Sequence, residues 1–93
     1  DGHCASLFPG SPDIAAALDI AAAKDCMVIN RGQGNGPRLS LSLRRLLNCR
    51  TLVLHIQGEE KRRVLAQALG GQTEMPVAAL FGRDVAVQVY WAP

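Results

Sequence analysis

The sequence is poor in aromatic residues and has little excess of either charge. Aromatic residues make up 4% of its 93 residues, and the net charge is only +2. Proteins that bind single-stranded nucleic acid usually combine a strongly basic groove with aromatic side chains on which the bases stack. The composition therefore does not favour a nucleic-acid partner.

Long apolar runs are also lacking. The longest, over residues 14–23, is interrupted by Asp19 and is shorter than the ~20 residues that a membrane-spanning helix needs. We therefore expect no membrane partner. The hydrophobic fraction of 48% is nevertheless typical of a folded chain rather than a disordered one.

Cysteine is scarce and follows no ligand pattern. Cys4, Cys26 and Cys49 are an odd number, widely spaced, and contain no C-x-x-C pair. This usage is typical of reduced thiols, so we expect a cytoplasmic protein without disulfides. His3 and His55 have no suitably spaced partners, and no metal site is expected.

The apolar periodicity predicts alternating helices and strands, and therefore an α/β fold with a largely parallel sheet flanked by helices. Ser11 and Ser42 are predicted N-caps, with Pro12 at the first helical position after Ser11. A glycine-rich loop is expected at 31–37. The predicted helices cover 12–18, extending toward 23, and 43–49, 59–69 and 76–81. The predicted strands are a buried strand at 26–29, a short extended segment at 38–41, and strands at 51–57 and 85–91.

Several polar residues are candidates for chemistry. His3, followed by small residues, is suited to present an imidazole that Asp1 orients, and the alternative is a turn with a surface histidine. Lys61 lies in the first turn of a predicted helix, where a phosphate is favoured. The alternative is that neighbouring glutamates neutralise Lys61. Arg38 follows the glycine-rich loop, either at the edge of a site or as an exposed arginine.

Other residues are better explained structurally. His55 alternates within an apolar strand, which favours a packed or edge histidine, and Trp91 is predicted to pack in the core or at its rim. Ser6 lacks the G-x-S-x-G context of a nucleophile elbow, so no acyl-enzyme is expected. The glycines of loop 31–37 complete no phosphate-loop motif.

The opening string DGHCASLFPG resembles the active-site segment of the 6-phosphogluconolactonase family, which has D-G-H, usually Thr, then A-S-L-F-P-G. Cys4 in place of Thr is the departure. Further along, PRLSLS at 37–42, LNCR at 47–50 and GEEK at 58–61 are similar to the family's P-R-[IL]-[ST]-L-[ST], L-N-A-R and G-x-x-K segments. The resemblance therefore extends along the whole chain.

The resemblance implies hydrolysis of 6-phospho-D-glucono-1,5-lactone to 6-phosphogluconate, in the oxidative branch of the pentose phosphate pathway. It implies that His3 is the general base, that Asp1 orients it, and that Arg38 and Lys61 serve the substrate phosphate. The partner is then a small sugar-phosphate lactone. No organic cofactor or metal is implied, because lactone opening needs only a base, water and polarisation of the carbonyl.

The resemblance also concerns the extent of the chain, which opens on Asp1 rather than Met. Family chains are longer and carry a glycine-rich phosphate-binding turn before D-G-H. We therefore expect residues 1–93 to be a single partial domain, the C-terminal part of a doubly wound sheet whose N-terminal half is absent. Such a piece is expected to be poorly active and to self-associate through an exposed sheet edge.

Two alternatives stay open. The related glucosamine-6-phosphate isomerase/deaminase group also uses D-G-H, but its string continues toward A-F-N-E-P. Phe8 falls where that glutamate would stand, and an apolar ring cannot exchange a proton. The other alternative is a catalytically incomplete fragment that acts only by sheet-edge association.

Overall fold

The computed structural model describes residues 1–21, 24–32 and 34–93, and these residues form helices and two pairs of strands. The helices are α1 (Ile14–Ala17), α2 (Leu43–Leu47), α3 (Glu59–Leu69) and a 3₁₀-helix (Pro76–Leu80). The strands are β1 (Cys26–Ile29), β2 (Arg38–Leu41), β3 (Thr51–Gln57) and β4 (Ala86–Ala92). No helix in these described ranges is long and apolar enough to cross a membrane.

Strands β3 and β4 form a parallel pair that runs in register from Thr51 opposite Ala86 to Gln57 opposite Ala92. Parallel strands require a long crossover, which α3 and the 3₁₀-helix provide. Alternate residues of β3 are half-buried because successive side chains point to opposite faces. The apolar face of this pair and α3 pack around Leu43, Ala68, Val77 and Leu80.

Strands β1 and β2 pair antiparallel, with Cys26 opposite Leu41 and Ile29 opposite Arg38. The segment between them is too short for a parallel crossover. The α/β class is confirmed, but this pair departs from a single parallel sheet because the described strands form separate two-stranded sheets. The prediction that 26–29 is buried holds only for Ile29, since Val28 is 59% exposed.

The prediction that Ser11 caps the first helix is wrong. Asp13 occupies the N-cap position of α1 and makes no capping hydrogen bond with its side chain. The Ser11 hydroxyl is buried and donates to the Asn30 carbonyl, while its oxygen accepts from the Asp13 N–H at 3.0 Å. Ser11 therefore ties the first segment to β1. The helix ends at Ala17, and the expected extension to Ala23 falls partly outside the described residues.

The second serine cap is confirmed. The Ser42 side chain accepts from the backbone N–H of Arg45 at 3.3 Å, and α2 follows directly. This helix ends at Leu47, two residues before the predicted end, because Asn48 turns the chain out of the helix. Strand β3 and helix α3 have the predicted bounds, whereas β4 begins and ends one residue later than predicted.

Candidate functional site

Residues 1–10 form a tight reversal that places His3 beside Phe8. The Leu7 N–H donates to the Cys4 carbonyl at 2.9 Å, and these two residues form an isolated antiparallel bridge. Within the turn, Ala5 has φ +48°, a conformation that L-residues adopt only at a cost. Residues 3 and 8 flank the bridge, and their rings lie 4.7 Å apart between centroids with an interplanar angle of 32°.

The same segment is joined to the 3₁₀-helix through Gly2. Its carbonyl accepts from the Val77 N–H at 2.9 Å. Gly2 has φ +78°, and a Cβ atom at this position would stand 2.7 Å from the Cβ of Met75. Only glycine fits this close approach, which fixes the position of the residues on either side.

His3 and Asp1 form a hydrogen-bonded pair. The Asp1 Oδ1 atom is 2.7 Å from His3 Nδ1 and also accepts from the His3 backbone N–H at 3.0 Å. An ionised carboxylate only accepts, so Nδ1 carries the proton and Nε2 has a free lone pair. Burial lowers the pKa of His3, and the charge of Lys61 lowers it further. A lowered pKa keeps the imidazole neutral at pH 7, as a general base requires.

A cavity of about 620 Å³ brings this pair together with the first turn of α3. Asp1, His3, Glu60 and Lys61 all line it. The electrostatic effect of Lys61 on His3 is consistent with this placement. Lys61 has no ion pair among the described residues, so its ammonium group is available to an anion.

The acidic neighbour Glu59 is already engaged by a different cation. Its carboxylate forms a two-pronged ion pair with Arg62, which lowers the pKa of Glu59. The Arg62 guanidinium lies 5.4 Å from the ring centroid of Trp91, whose indole N–H donates to the Gly58 carbonyl at 2.9 Å. The end of β4 and the start of α3 are thus fastened together. Of the two neighbouring glutamates, Glu59 is therefore paired with Arg62 rather than with Lys61.

Arg38 stands apart from this cavity. It begins β2, is exposed, and is not among the residues that line the cavity. Two residues on, the Ser40 hydroxyl accepts from the Ser6 N–H at 3.1 Å, so β2 lies against the segment that carries His3. Alternation along a strand puts Arg38 on the same face as Ser40. The structure therefore brings Asp1, His3 and Lys61 together and leaves the phosphate role of Arg38 a prediction.

Sequence reasoning missed several residues around the site. His55, expected as a packed or edge histidine, is exposed on β3 and lines the cavity. The guanidinium carbon of Arg31 lies 5.6 Å from the ring centroid of Phe8, and no local sequence pattern predicts that contact. Arg62 is exposed on α3 and contacts both Glu59, one helical turn before it, and Trp91 of β4. The contacts of Arg31 with Phe8 and of Arg62 with Trp91 join residues far apart in sequence, so periodicity carries no signal for them.

The donor set around the cavity does not suggest a metal. Across the ranges 1–21, 24–32 and 34–93, no three His, Cys, Asp or Glu side chains cluster closely enough to hold an ion. Cys4 also lines the cavity, and burial raises the pKa of its thiol to about 11. A thiol with that pKa is almost fully protonated at neutral pH and is a poor nucleophile.

The fold and cavity together define an α/β protein with a histidine–aspartate pair facing an unpaired lysine at a helix N-terminus. The family model described as "Glucosamine-6-phosphate isomerases/6-phosphogluconolactonase" matches residues 1–91. The chain belongs to this family.

The most similar relatives include a 6-phosphogluconolactonase of Rhizobium meliloti, 40% identical over the whole chain and 41% of the relative. Another, from Mesorhizobium japonicum, is 36% identical over the whole chain and 40% of its own length. The chain therefore spans about 40% of the length of the curated relatives that it matches.

Solved structures show the same likeness. A crystal structure of a 6-phosphogluconolactonase from Shewanella baltica matches the whole chain with a TM-score of 0.87 and 36% identity, covering 40% of that chain. A putative 6-phosphogluconolactonase from Neisseria gonorrhoeae gives a TM-score of 0.90 at 32% identity, covering 41% of that chain. At 36% and 32% identity, the likeness indicates a shared family as well as a shared fold.

Proposed function

We propose that this sequence contributes the general base and a phosphate-binding cation to a 6-phosphogluconolactonase. The observation that carries the proposal is the single cavity that His3 and Lys61 both line. The names of the relatives supply the substrate, 6-phospho-D-glucono-1,5-lactone. A base and a cation in one cavity suit a substrate with a carbonyl to be hydrolysed at one end and a phosphate at the other.

In the proposed reaction, His3 Nε2 accepts a proton from a water molecule while the water oxygen attacks the lactone carbonyl carbon. The Asp1 carboxylate holds the Nδ1 proton and stabilises the imidazolium that forms. When the tetrahedral intermediate collapses, the bond between the carbonyl carbon and the ring oxygen breaks. The imidazolium returns its proton to that oxygen, and the products are a carboxylic acid and a hydroxyl group.

The first turn of α3 supports phosphate binding beside Lys61. The N-cap residue Gly58 offers no side chain, so the backbone N–H groups at the start of this 11-residue helix have no side-chain cap. Such groups and the helix dipole favour an anion, and the Lys61 ammonium adds a charge-assisted hydrogen bond. Arg38 is proposed as a further basic residue at the edge of the site, on the β2 strand that contacts Ser6.

The neighbourhood of His3 favours the lactonase over the isomerase/deaminase activity that the family description also includes. The side chain packed against the imidazole is that of Phe8, and its ring has no proton to exchange.

We propose the cytoplasm as the compartment. The free state of Cys4, Cys26 and Cys49 supports that proposal.

The test is the rate of lactone hydrolysis, above the spontaneous background, by the complete product of the encoding gene. His3→Ala should lower kcat by roughly 10²- to 10⁴-fold, the contribution of a positioned base. His55→Ala is the matched control, because His55 lines the same cavity but has no carboxylate partner in the described structure. Its kcat should stay within about twofold of the parent.

The pH dependence gives a second readout of the same experiment. The lowered pKa of His3 predicts that kcat/KM holds to a pH below the ordinary histidine value of 6.5 before it falls. Activity above background that survives His3→Ala, with an unchanged acid limb, would remove His3 from the role of base. Absence of any activity in a folded product would overturn the lactonase proposal itself.

A further inference from the structure

Phe8 contacts two side chains that come from different parts of the chain. Its ring centroid lies 4.7 Å from that of the His3 imidazole and 5.6 Å from the guanidinium carbon of Arg31. Arg31 is itself held by the Gly36 carbonyl, which accepts from its Nε–H at 3.3 Å. Phe8 therefore contacts both the base and a residue that follows β1.

The hydrogen bond to Asp1 does not by itself orient the imidazole. It fixes the distance from Nδ1 to Oδ1, but the side chains of His3 and Asp1 can still turn together about their own bonds, and Nε2 would move with them. A flat group packed on one face of the ring removes that rotation. The two contacts together define where Nε2 points, which a base must satisfy to within hydrogen-bond reach of its water.

We propose that Phe8, backed by Arg31, is a positioning residue that fixes the plane of the His3 imidazole. The inference rests on the proposed function in one respect, that His3 is the base of the reaction. The backbone beneath Phe8 is fixed independently of its ring, because Leu7 is fully buried and Leu7 N–H is bonded to the Cys4 carbonyl. A change of the side chain at position 8 therefore leaves the hairpin in place.

The ring also shields one face of His3 from water. The charged and titratable groups that line the cavity with His3 are Asp1 and Cys4 from its own segment, His55 from β3, and Glu59, Glu60 and Lys61 from α3, and Arg31 contacts Phe8. These groups are unchanged when Phe8 is replaced. Loss of the ring removes part of the burial, which is the largest cause of the lowered pKa of His3. The pKa of His3 is therefore expected to rise toward its ordinary value.

The test compares Phe8→Leu with Phe8→Tyr in the complete gene product. Leucine keeps an apolar side chain but has no flat face, whereas tyrosine retains the ring in a partly exposed position. Phe8→Leu should lower kcat about tenfold, with KM changed less than about twofold and the acid limb of the pH profile moved upward. Phe8→Tyr should keep kcat, KM and the acid limb close to those of the parent. Arg31→Ala should lower kcat and move the acid limb in the same direction as Phe8→Leu, but by less.

Imidazole NMR of ¹⁵N-labelled histidine supplies a readout that needs no turnover. In the parent and in Phe8→Tyr, the His3 signals should report one tautomer protonated at Nδ1, and a titration below pH 6.5. In Phe8→Leu the same tautomer should persist, because Asp1 still accepts from Nδ1–H, but the ring signals should broaden from added ring motion and the pKa should rise. Unchanged His3 signals and kcat in Phe8→Leu would overturn the positioning role, as would equal losses in the leucine and tyrosine variants. A product inactive on the lactone but with these NMR differences would uphold this inference and refute only the proposed function.

Discussion

The two halves of the candidate site are built in contrasting ways. Lys61 stands on α3 in the β3–α3–β4 unit, where seven-residue parallel strands and an 11-residue helix repeat regular hydrogen bonds. His3 stands in the reversal of residues 1–10, held by a strained turn at Ala5 and by single contacts. The regular unit supplies Lys61, a binding group for which a small change in position matters little. The irregular segment supplies His3, a base that must be oriented closely toward its water.

The two halves meet at one point. Gly2 accepts the Val77 N–H and lies against Met75, so the segment with His3 is docked on the helix that follows α3. Apolar packing also connects the two core clusters, since Cys4, Leu18 and Leu46 contact both of them. The distance between base and cation therefore depends on a backbone contact that only glycine allows.

The largest expected effect comes from breaking that junction with Gly2→Ala. The added methyl would stand 2.7 Å from Met75 Cβ at φ +78°, so the segment must move away. We expect a loss of about 2 kcal/mol in the free energy of unfolding, from strain and overpacking. Because misplacement of a base by about 1 Å is costly, kcat should fall roughly 100-fold.

Gly82→Ala is the matched control for the junction. Gly82 has a similar φ of +72° but no atom within 4 Å of the added methyl. Gly82→Ala should lower the free energy of unfolding by about 1 kcal/mol through backbone strain, and kcat should be unchanged. Equal effects of the two variants on kcat, measured beside chemical denaturation, would show that the contact with Met75 does not position His3.

A smaller effect is expected from removing the cation of the regular half. Lys61→Met should raise KM about tenfold or more with little change in kcat, because the charge-assisted bond to phosphate is made equally in ground and transition states. Arg63→Met removes a charge two residues away that does not line the cavity, and should leave KM nearly unchanged. A KM equally insensitive to both substitutions would rule out a phosphate contact by Lys61.

The smallest effect concerns the ion pair that keeps Glu59 away from Lys61. Arg62→Gln frees the Glu59 carboxylate, which is then able to approach the Lys61 ammonium and compete with phosphate. Because the groups are exposed, we expect KM to rise only about twofold to threefold. The double variant with Glu59→Gln should return KM to the parent value. A double variant no better than Arg62→Gln would mean that Arg62 acts in another way.

The contrast between the halves also explains what could be predicted from the sequence. The bounds of β3 and α3 were predicted because alternation in 51–57 and the apolar stripe of 59–69 repeat with a clear period. The first helix begins at Ile14 rather than at Pro12, and the Ser11 hydroxyl, which accepts from the Asp13 N–H, also donates to a distant partner, the Asn30 carbonyl. The local sequence does not indicate whether a hydroxyl will hydrogen-bond with a nearby or a distant partner.

The site shows the same division. D-G-H and G-x-x-K could be found by resemblance, and the structure brings His3 and Lys61 to one cavity. Phe8 and Arg31 could not be assigned, because their contact spans 23 positions and depends on the turn at Ala5. Arg38, found by the same resemblance, lies outside the cavity lining.

The central claim is that His3 and Lys61 serve one ligand. The most direct measurement is the His3 imidazole NMR signal during titration of the complete gene product with 6-phosphogluconate, repeated in Lys61→Met. A saturable shift of the His3 signal is expected, with the Kd raised about tenfold in Lys61→Met and unchanged in Arg63→Met. A His3 signal unaffected by saturating product, or a Kd equal in all three proteins, would contradict it.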